Sequence, residues 1–83
     1  MKKKTGYEML GKRMKECRLE LGLSVEEAAG ILGLKPSMYL RYEAGEKDIR
    51  YDILLALAHM FHVSCDYLMG LSDEKWPYFD ERP

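Results

Sequence analysis

The sequence of 83 residues contains only two cysteines, lacks any long apolar run and has almost no net charge. Two cysteines are too few for a disulfide scaffold, so we expect both thiols to be reduced. No run of about 18 apolar residues could cross a membrane, and the start, MKKKTGYEML, lacks the apolar stretch of a signal peptide. These absences argue against a disulfide-rich secreted domain and a membrane protein. We expect a single cytoplasmic domain.

The residue patterns of enzymes and metal sites are missing as well. The sequence has no glycine-rich phosphate loop, no nucleophile with a base and an orienting group, and no pair of carboxylates in an apolar setting. His59, His62 and Cys65 follow one another at intervals of three. Zinc needs four ligands in a tetrahedral array, however, and a turn between His62 and Cys65 should break the helical spacing. We therefore predict no enzymatic activity, no metal, no cofactor and no small-molecule substrate.

The net charge of −1 conceals an asymmetry along the chain. Residues 1–18 have a net charge of +5, whereas residues 19–65 and residues 66–83 have −3 each. DNA-binding domains usually present a basic face, because contacts with phosphates and the release of counterions supply much of their affinity. The acidic remainder of the chain counts against a DNA partner, and the basic start counts for one. The lysines at positions 2–4 are either a phosphate-contacting arm or a solvated tail.

A stretch of 22 residues, SVEEAAGILGLKPSMYLRYEAG at positions 24–45, has the pattern of two short helices joined by a glycine turn. Ser24 and Glu27 have the spacing of a capping box, in which each side chain accepts a hydrogen bond from the other residue's amide. Gly33 permits the left-handed conformation that ends a helix, and Pro36 suits the first position of the next helix. Two short helices joined by such a turn make a helix-turn-helix.

Apolar spacing predicts three further helices. A second capping box, Thr5 with Glu8, starts a helix over residues 7–21, whose apolar stripe consists of Leu10, Met14, Cys17 and Leu21. An apolar fourth helix contains Tyr51, Leu54, Leu55, Leu57, Ala58 and Phe61. Ser64 caps a short fifth helix that ends before Gly70. The apolar residues that we expect to be surplus to the core, and that suit a dimer interface, are Ile53, Met60 and Met69.

Three short motifs are more specific than this periodicity: GLS at positions 22–24, RYE at positions 41–43 with Gly45 behind it, and VSCDYLMG at positions 63–70. With them, residues 10–71 resemble the lambda-repressor-like helix-turn-helix family of the Cro and xenobiotic-response-element type. The resemblance implies an all-α, compact five-helix bundle that binds operator DNA as a homodimer. We accordingly divide the chain into a basic arm at residues 1–5, a DNA-binding domain at residues 6–71 and a short aromatic tail at residues 72–83.

The resemblance also implies a structural ion pair. Arg18 lies on the edge of the apolar stripe of the first helix, where a charge needs a partner. In the proteins that this sequence resembles, the arginine at this position pairs with the glutamate of the RYE-type motif, which is Glu43 here. We expect this pair to fix the first helix against the third.

The helix predicted over residues 36–44 has two faces, because successive residues are about 100° apart. The inward face holds Tyr39, Tyr42 and Glu43, and the outward face holds Ser37, Leu40, Arg41 and Ala44. On the outward face, Arg41 can donate two hydrogen bonds to a guanine, Ser37 can bond a base edge or a phosphate, and Leu40 can rest on a thymine methyl group. We assign these three residues to base reading. The residues assigned to DNA phosphates are Lys35, Lys47 and Arg50.

The same surface departs from the family pattern. The family has glutamine at the first position of the second helix, where this chain has Val25, and polar base-reading residues near the start of the third helix, where it has Pro36. Met38 and Leu40 add apolar surface. Either the DNA is read largely through methyl groups and shape, or the surface binds another protein on a helix-turn-helix scaffold with little or no DNA affinity.

The tail leaves a similar choice open. Trp76, Tyr78 and Phe79 lie among acidic residues, and two prolines argue against a helix there. Either Trp76 and Phe79 fold back over the bundle and enlarge a small core, or the tail forms a dimer arm or a docking motif.

Overall fold

The computed structural model describes residues 6–76 of the chain. In that part of the chain five helices follow one another without any strand: α1 (Gly6–Glu20), α2 (Val25–Leu32), α3 (Pro36–Glu43), α4 (Tyr51–Phe61) and α5 (Cys65–Met69). The prediction of an all-α five-helix domain is confirmed. None of these five helices is long and apolar enough to span a bilayer. The predictions for Lys2, Lys3, Lys4, Thr5, Pro77, Tyr78 and Phe79 lie outside the described residues.

The helix ends follow local signals in the sequence. Ser24 Oγ accepts a hydrogen bond from the Glu27 amide at 3.0 Å, and Glu27 Oε1 accepts one from the Ser24 amide at 2.8 Å, so the predicted capping box is present. Gly33 ends α2 in the left-handed region at φ 72°. Pro36 is the first residue of α3, and the Ser64 hydroxyl caps α5. These ends confirm the predicted helix-turn-helix and the short fifth helix.

The core forms around α1, which packs against α3, α4 and α5. Its buried members are Leu10, Met14, Cys17, Ala28, Ala29, Tyr39, Tyr42, Leu54, Leu57, Phe61, Val63, Tyr67 and Leu68. The prediction that Leu21 belongs to the apolar stripe is wrong, because α1 ends at Glu20 and the side chain of Leu21 is exposed. Leu23, which follows the turn at Gly22, packs against the core instead.

Three apolar residues predicted to be surplus to the core are in fact packed against it. Ile53, Met60 and Met69 are partly buried beside the core cluster. Ile53 and Met60 lie one turn on either side of the buried Leu57, so helical geometry directs them toward the same side of α4. The large apolar side chains of α4 that are exposed are Tyr51 and Leu55.

α1 and α3 approach so closely at Gly11 that no side chain fits between them. A Cβ atom at Gly11 would overlap the backbone carbonyl oxygen of Glu43. Next to this contact Gly45 adopts φ 74°, and a Cβ atom there would lie 3.1 Å from the Cα atom of Glu8. The first half of α1 therefore fixes the position of the last turn of α3.

Candidate nucleic-acid interface

Backbone hydrogen bonds fix the turn between α2 and α3. The Leu34 amide donates to the Ala29 carbonyl at 2.9 Å, and the Tyr39 amide donates to the Lys35 carbonyl at 3.0 Å. Ala28 and Ala29 are completely buried, and their small side chains allow α2 to approach its neighbours. α3 is consequently held by α1 from one side and by α2 from another.

The structure gives α3 one buried face and one exposed face. Tyr39 and Tyr42 are buried, as the helical spacing predicts. The exposed residues of α3 and of its C-cap include Ser37, Leu40, Arg41 and Ala44. The three side chains assigned to base reading therefore share one accessible surface.

Arg18 and Glu43 meet on the buried side of α3. Arg18 Nε donates a hydrogen bond to Glu43 Oε2 at 2.7 Å. On the other side of the guanidinium, Arg18 Nη1 donates a hydrogen bond to the Leu23 carbonyl at 3.0 Å. Only 10% of the arginine side chain and 6% of the glutamate side chain are exposed. The hydrogen bond that Arg18 donates to Glu43 raises the pKa of Arg18, so the guanidinium stays charged at every ordinary pH. The pair joins α1 to α3.

The hydroxyl of Tyr39 lies in the same buried region. It has no hydrogen-bond partner among residues 6–76. Burial raises the pKa of Tyr39, and the negative charge of Glu43 raises it further. Tyr39 is therefore neutral well into the alkaline range.

The four positive side chains of the candidate interface fall into two groups. Arg41 Nε lies 4.0 Å from Glu46 Oε1, and Arg50 donates two hydrogen bonds to the carboxylate of Asp52, at 3.2 and 3.0 Å. By contrast, Lys35 and Lys47 form no ion pair with any residue from 6 to 76. Sequence reasoning missed both carboxylates. The pairing of Arg50 with Asp52 could have been predicted, because the two residues are only two positions apart at the start of α4.

The departures from the family pattern have simple structural consequences. Val25 is the first residue of α2 and packs, partly buried, against the core, so it presents no polar group to a phosphate. Pro36 takes the position of α3 where its missing amide hydrogen costs nothing. Met38 is also packed against the core. Leu40 is therefore the main exposed apolar group of α3.

A cluster that the sequence did not reveal joins the segment after α5 to α1. Arg13 donates hydrogen bonds to the Tyr67 carbonyl at 2.6 Å and to the Ser72 carbonyl at 2.8 Å, and its guanidinium lies 4.1 Å from the centroid of the Tyr67 ring. Lys75 pairs with Glu20 at 3.1 Å. The aromatic ring of the following residue, Trp76, is exposed and adds nothing to the core. No periodicity of apolar residues could have indicated these polar contacts.

Within residues 6–76, His59 and His62 are not grouped with other side chains that could bind a metal. The rings of His59 and His62 stack with centroids 6.4 Å apart, and His62 ends α4 at φ 59°. Over residues 6–76, no three His, Cys, Asp or Glu side chains are grouped so that they could hold a metal ion. Burial raises the pKa of Cys65, which favours its neutral thiol.

The two short helices α2 and α3 are joined by a fixed turn, and α3 presents an exposed face. This arrangement defines a helix-turn-helix domain. A family model described as helix-turn-helix matches residues 14–68. The chain belongs to the lambda-repressor-like helix-turn-helix family, and the resemblance seen in its motifs is confirmed. This family consists of regulatory DNA-binding domains and is not a class of enzymes.

Two curated relatives come from Bacillus subtilis. The chain is 41% identical over 61 residues to the HTH-type transcriptional regulator ImmR, a match covering 74% of this chain and 48% of that protein. It is 34% identical over 74 residues to YobD, described as an uncharacterized HTH-type transcriptional regulator, with coverage of 89% and 66%. The chain thus spans from about half to just under two thirds of the length of these two relatives.

Solved structures show the same fold. The restriction-modification controller protein C.AhdI from Aeromonas hydrophila superposes with a TM-score of 0.69 and 29% identity, covering 75% of this chain and 94% of that one. The clp gene regulator ClgR from Corynebacterium glutamicum superposes with a TM-score of 0.76 over 84% of this chain and 90% of its own, and its 20% identity supports the fold alone. The family match and the relatives named as transcriptional regulators support a DNA-binding regulator and give no support to the protein-interaction alternative.

Proposed function

We propose that this chain is a sequence-specific, repressor-like transcriptional regulator that binds duplex DNA as a homodimer in the cytoplasm and has no catalytic activity. The exposed face of α3, which presents Ser37, Leu40 and Arg41 from a helix held by α1 and α2, carries the proposal. The relatives named as transcriptional regulators and the structural likeness to a controller protein support it.

The proposed mode of recognition places α3 in the major groove, which is wide enough for a helix. Arg41 donates two hydrogen bonds to O6 and N7 of a guanine, a contact worth about 1–3 kcal/mol of discrimination against other bases. Leu40 packs against a thymine methyl group, and Ser37 bonds a base edge. Leu40 offers no hydrogen bond and Ser37 has a short side chain, so Arg41 supplies most of the direct hydrogen bonding to bases. The remaining specificity comes from the shape of the DNA.

Phosphate contacts fix the position of α3 on the duplex. Lys35 lies at the N-cap of α3, and Lys47 and Arg50 follow its C-terminal end. Each lysine or arginine that neutralises a phosphate releases counterions and adds about 0.9 to the slope of log affinity against log salt. The lysines at positions 2–4 are proposed to add further contacts of this kind.

A homodimer doubles this interface. Two copies of α3 about one helical turn apart, ~34 Å, read equivalent half-sites, so the proposed operator is palindromic. A dimer also doubles the number of phosphate contacts on one duplex, which makes binding more dependent on salt.

The test is enrichment of binding sequences from a random duplex pool, followed by affinity measurements at two salt concentrations. We expect a palindromic sequence to be enriched and the affinity for unrelated duplexes to fall steeply as salt rises. If no duplex binds even at low salt, the DNA-binding proposal fails and the protein-interaction alternative takes its place.

A matched pair of variants separates base reading from general charge. Arg41→Ala should weaken binding to the enriched sequence by about five- to a hundredfold and relax the preference at one base position, while weak salt-sensitive binding remains. Lys15→Ala removes one positive charge from an exposed position of α1. It should lower the affinity for all duplexes slightly and by the same factor. Equal loss on every sequence in Arg41→Ala would contradict the assigned role.

A further inference from the structure

The two arginines of the candidate interface are each paired with a carboxylate of the same surface. In the pair of Arg41 with Glu46, 55% of the arginine side chain and 63% of the glutamate side chain are exposed. Arg50 and Asp52 are similarly exposed, but their contact is shorter and consists of two hydrogen bonds. The proposed function uses both arginines and gives the two carboxylates no role.

Exposed ion pairs of this kind are weak enough to be exchanged. They contribute little stability, because water screens the charges and both side chains lose conformational freedom. A DNA phosphate or a guanine can therefore replace the carboxylate as partner of the arginine. Until that happens, the carboxylate occupies the arginine and repels the phosphates around it.

We propose that Glu46 and Asp52 set the affinity and sequence discrimination of this domain by competing with DNA for Arg41 and Arg50. The inference rests on the proposed DNA-binding function. On unrelated DNA, Glu46 keeps Arg41 from binding a phosphate. On the operator, a guanine offers two well-placed acceptors, which replace the single contact with Glu46.

The two carboxylates have different consequences because their arginines have different roles. Arg41 reads a base, so the competition from Glu46 is overcome only at the correct sequence and sharpens discrimination. Arg50 contacts a phosphate, which every sequence provides, so Asp52 lowers affinity for all duplexes alike. Glu46 is thus a specificity-determining residue, and Asp52 limits general affinity.

The test uses neutral variants of nearly unchanged size. Glu46→Gln and Asp52→Asn remove the negative charges, and Asn can still accept the hydrogen bond that Asp52 Oδ1 receives from the Ile53 amide at 2.9 Å. Glu16→Gln is the matched control, because Glu16 is exposed on α1, forms no ion pair with residues 6–76 and gives the same change in net charge. Each variant is titrated with a random-sequence duplex and with the enriched duplex, at two salt concentrations, and its melting temperature is recorded.

We expect Glu46→Gln to bind the random duplex about two- to fivefold more tightly than Glu16→Gln does. The slope of its log affinity against log salt should be steeper by up to about 0.9, the value for one additional phosphate contact. Its affinity for the enriched duplex should change less, so the ratio of the two affinities falls. Asp52→Asn should bind both duplexes more tightly by the same factor, with the ratio unchanged. Melting temperatures should stay close to that of the parent protein.

The result that overturns the inference is equal behaviour of Glu46→Gln and Glu16→Gln on both duplexes. An unchanged affinity ratio in Glu46→Gln overturns the specificity role of Glu46 in the same way. These failures differ from a failure of the proposed function, in which the parent protein binds neither duplex at low salt and the inference is refuted together with it.

Discussion

Two arginine–glutamate pairs lie near the C-terminal end of α3, one buried and one exposed. The buried pair joins Arg18 to Glu43 at 2.7 Å, with 10% and 6% of the side chains exposed. The exposed pair joins Arg41 to Glu46 at 4.0 Å, with 55% and 63% exposed. The same two residue types thus serve different purposes, because burial decides whether a carboxylate can be replaced by another partner. The buried pair holds the helix in place, and the exposed pair can exchange its carboxylate for another partner.

The largest expected effect is the loss of the buried carboxylate. Glu43→Ala leaves the Arg18 guanidinium buried without its partner and should lower the free energy of unfolding by about 3–5 kcal/mol. Chemical denaturation followed by circular dichroism measures this change. An unchanged melting temperature would show that the pair has no architectural role.

Glu46→Ala is the matched control for the buried pair. It removes the same side chain from the exposed pair and should change the free energy of unfolding by less than about 1 kcal/mol. Similar losses in both variants would refute the distinction between the two pairs.

The second effect concerns the close approach of α1 and α3 on which the buried pair depends. Gly11→Ala places a Cβ atom against the carbonyl oxygen of Glu43, so the helices must separate, and we expect a loss of about 1–3 kcal/mol in the free energy of unfolding. Gly30→Ala is the control, because a Cβ atom there meets nothing within 4 Å. That variant should gain about 0.5–1 kcal/mol from better helix propensity. A stabilised Gly11→Ala would contradict the described contact.

The smallest effect is expected at the tyrosine beside the buried pair. In the unfolded chain Tyr39 loses its proton near its ordinary pKa of 10.0, whereas burial and Glu43 keep it protonated to higher pH in the folded domain. Above about pH 10 the unfolded state therefore binds fewer protons than the folded state, and stability falls as pH rises, by up to about 1.4 kcal/mol per pH unit.

Tyr39→Phe should remove this part of the alkaline loss while changing stability at neutral pH by about 1 kcal/mol or less. Denaturation of both proteins at neutral pH and near pH 11 measures the difference, since the other tyrosines are common to both. An equal alkaline loss in the two proteins would show that Tyr39 ionises normally in the folded state.

Local signals in the sequence predicted most of the fold. The capping box of Ser24 with Glu27, the left-handed Gly33 and the leading Pro36 each act within a few residues, so they determine helix ends without tertiary information. Periodicity placed the two faces of α3 correctly for the same reason. It failed at Leu21, because one residue beyond the end of a helix the spacing no longer applies.

Contacts between distant parts of the chain were largely beyond sequence reasoning. The need for glycine at position 11 depends on the approach of α3, and the role of Arg13 depends on the path of the chain after α5. The pairing of Arg18 with Glu43 was available only through the family resemblance. The carboxylate beside Arg41 depends on the turn that follows α3, which composition does not specify.

The most direct test of the account is a methylation-interference experiment on the enriched duplex. Methylation of guanine N7 blocks the acceptor that Arg41 is proposed to use in the major groove. We predict that one methylated guanine in each half-site prevents binding of the parent protein and that this interference disappears in Arg41→Ala. The same interference pattern in both proteins, or no interference at any guanine, would contradict the claim that the exposed face of α3 reads bases.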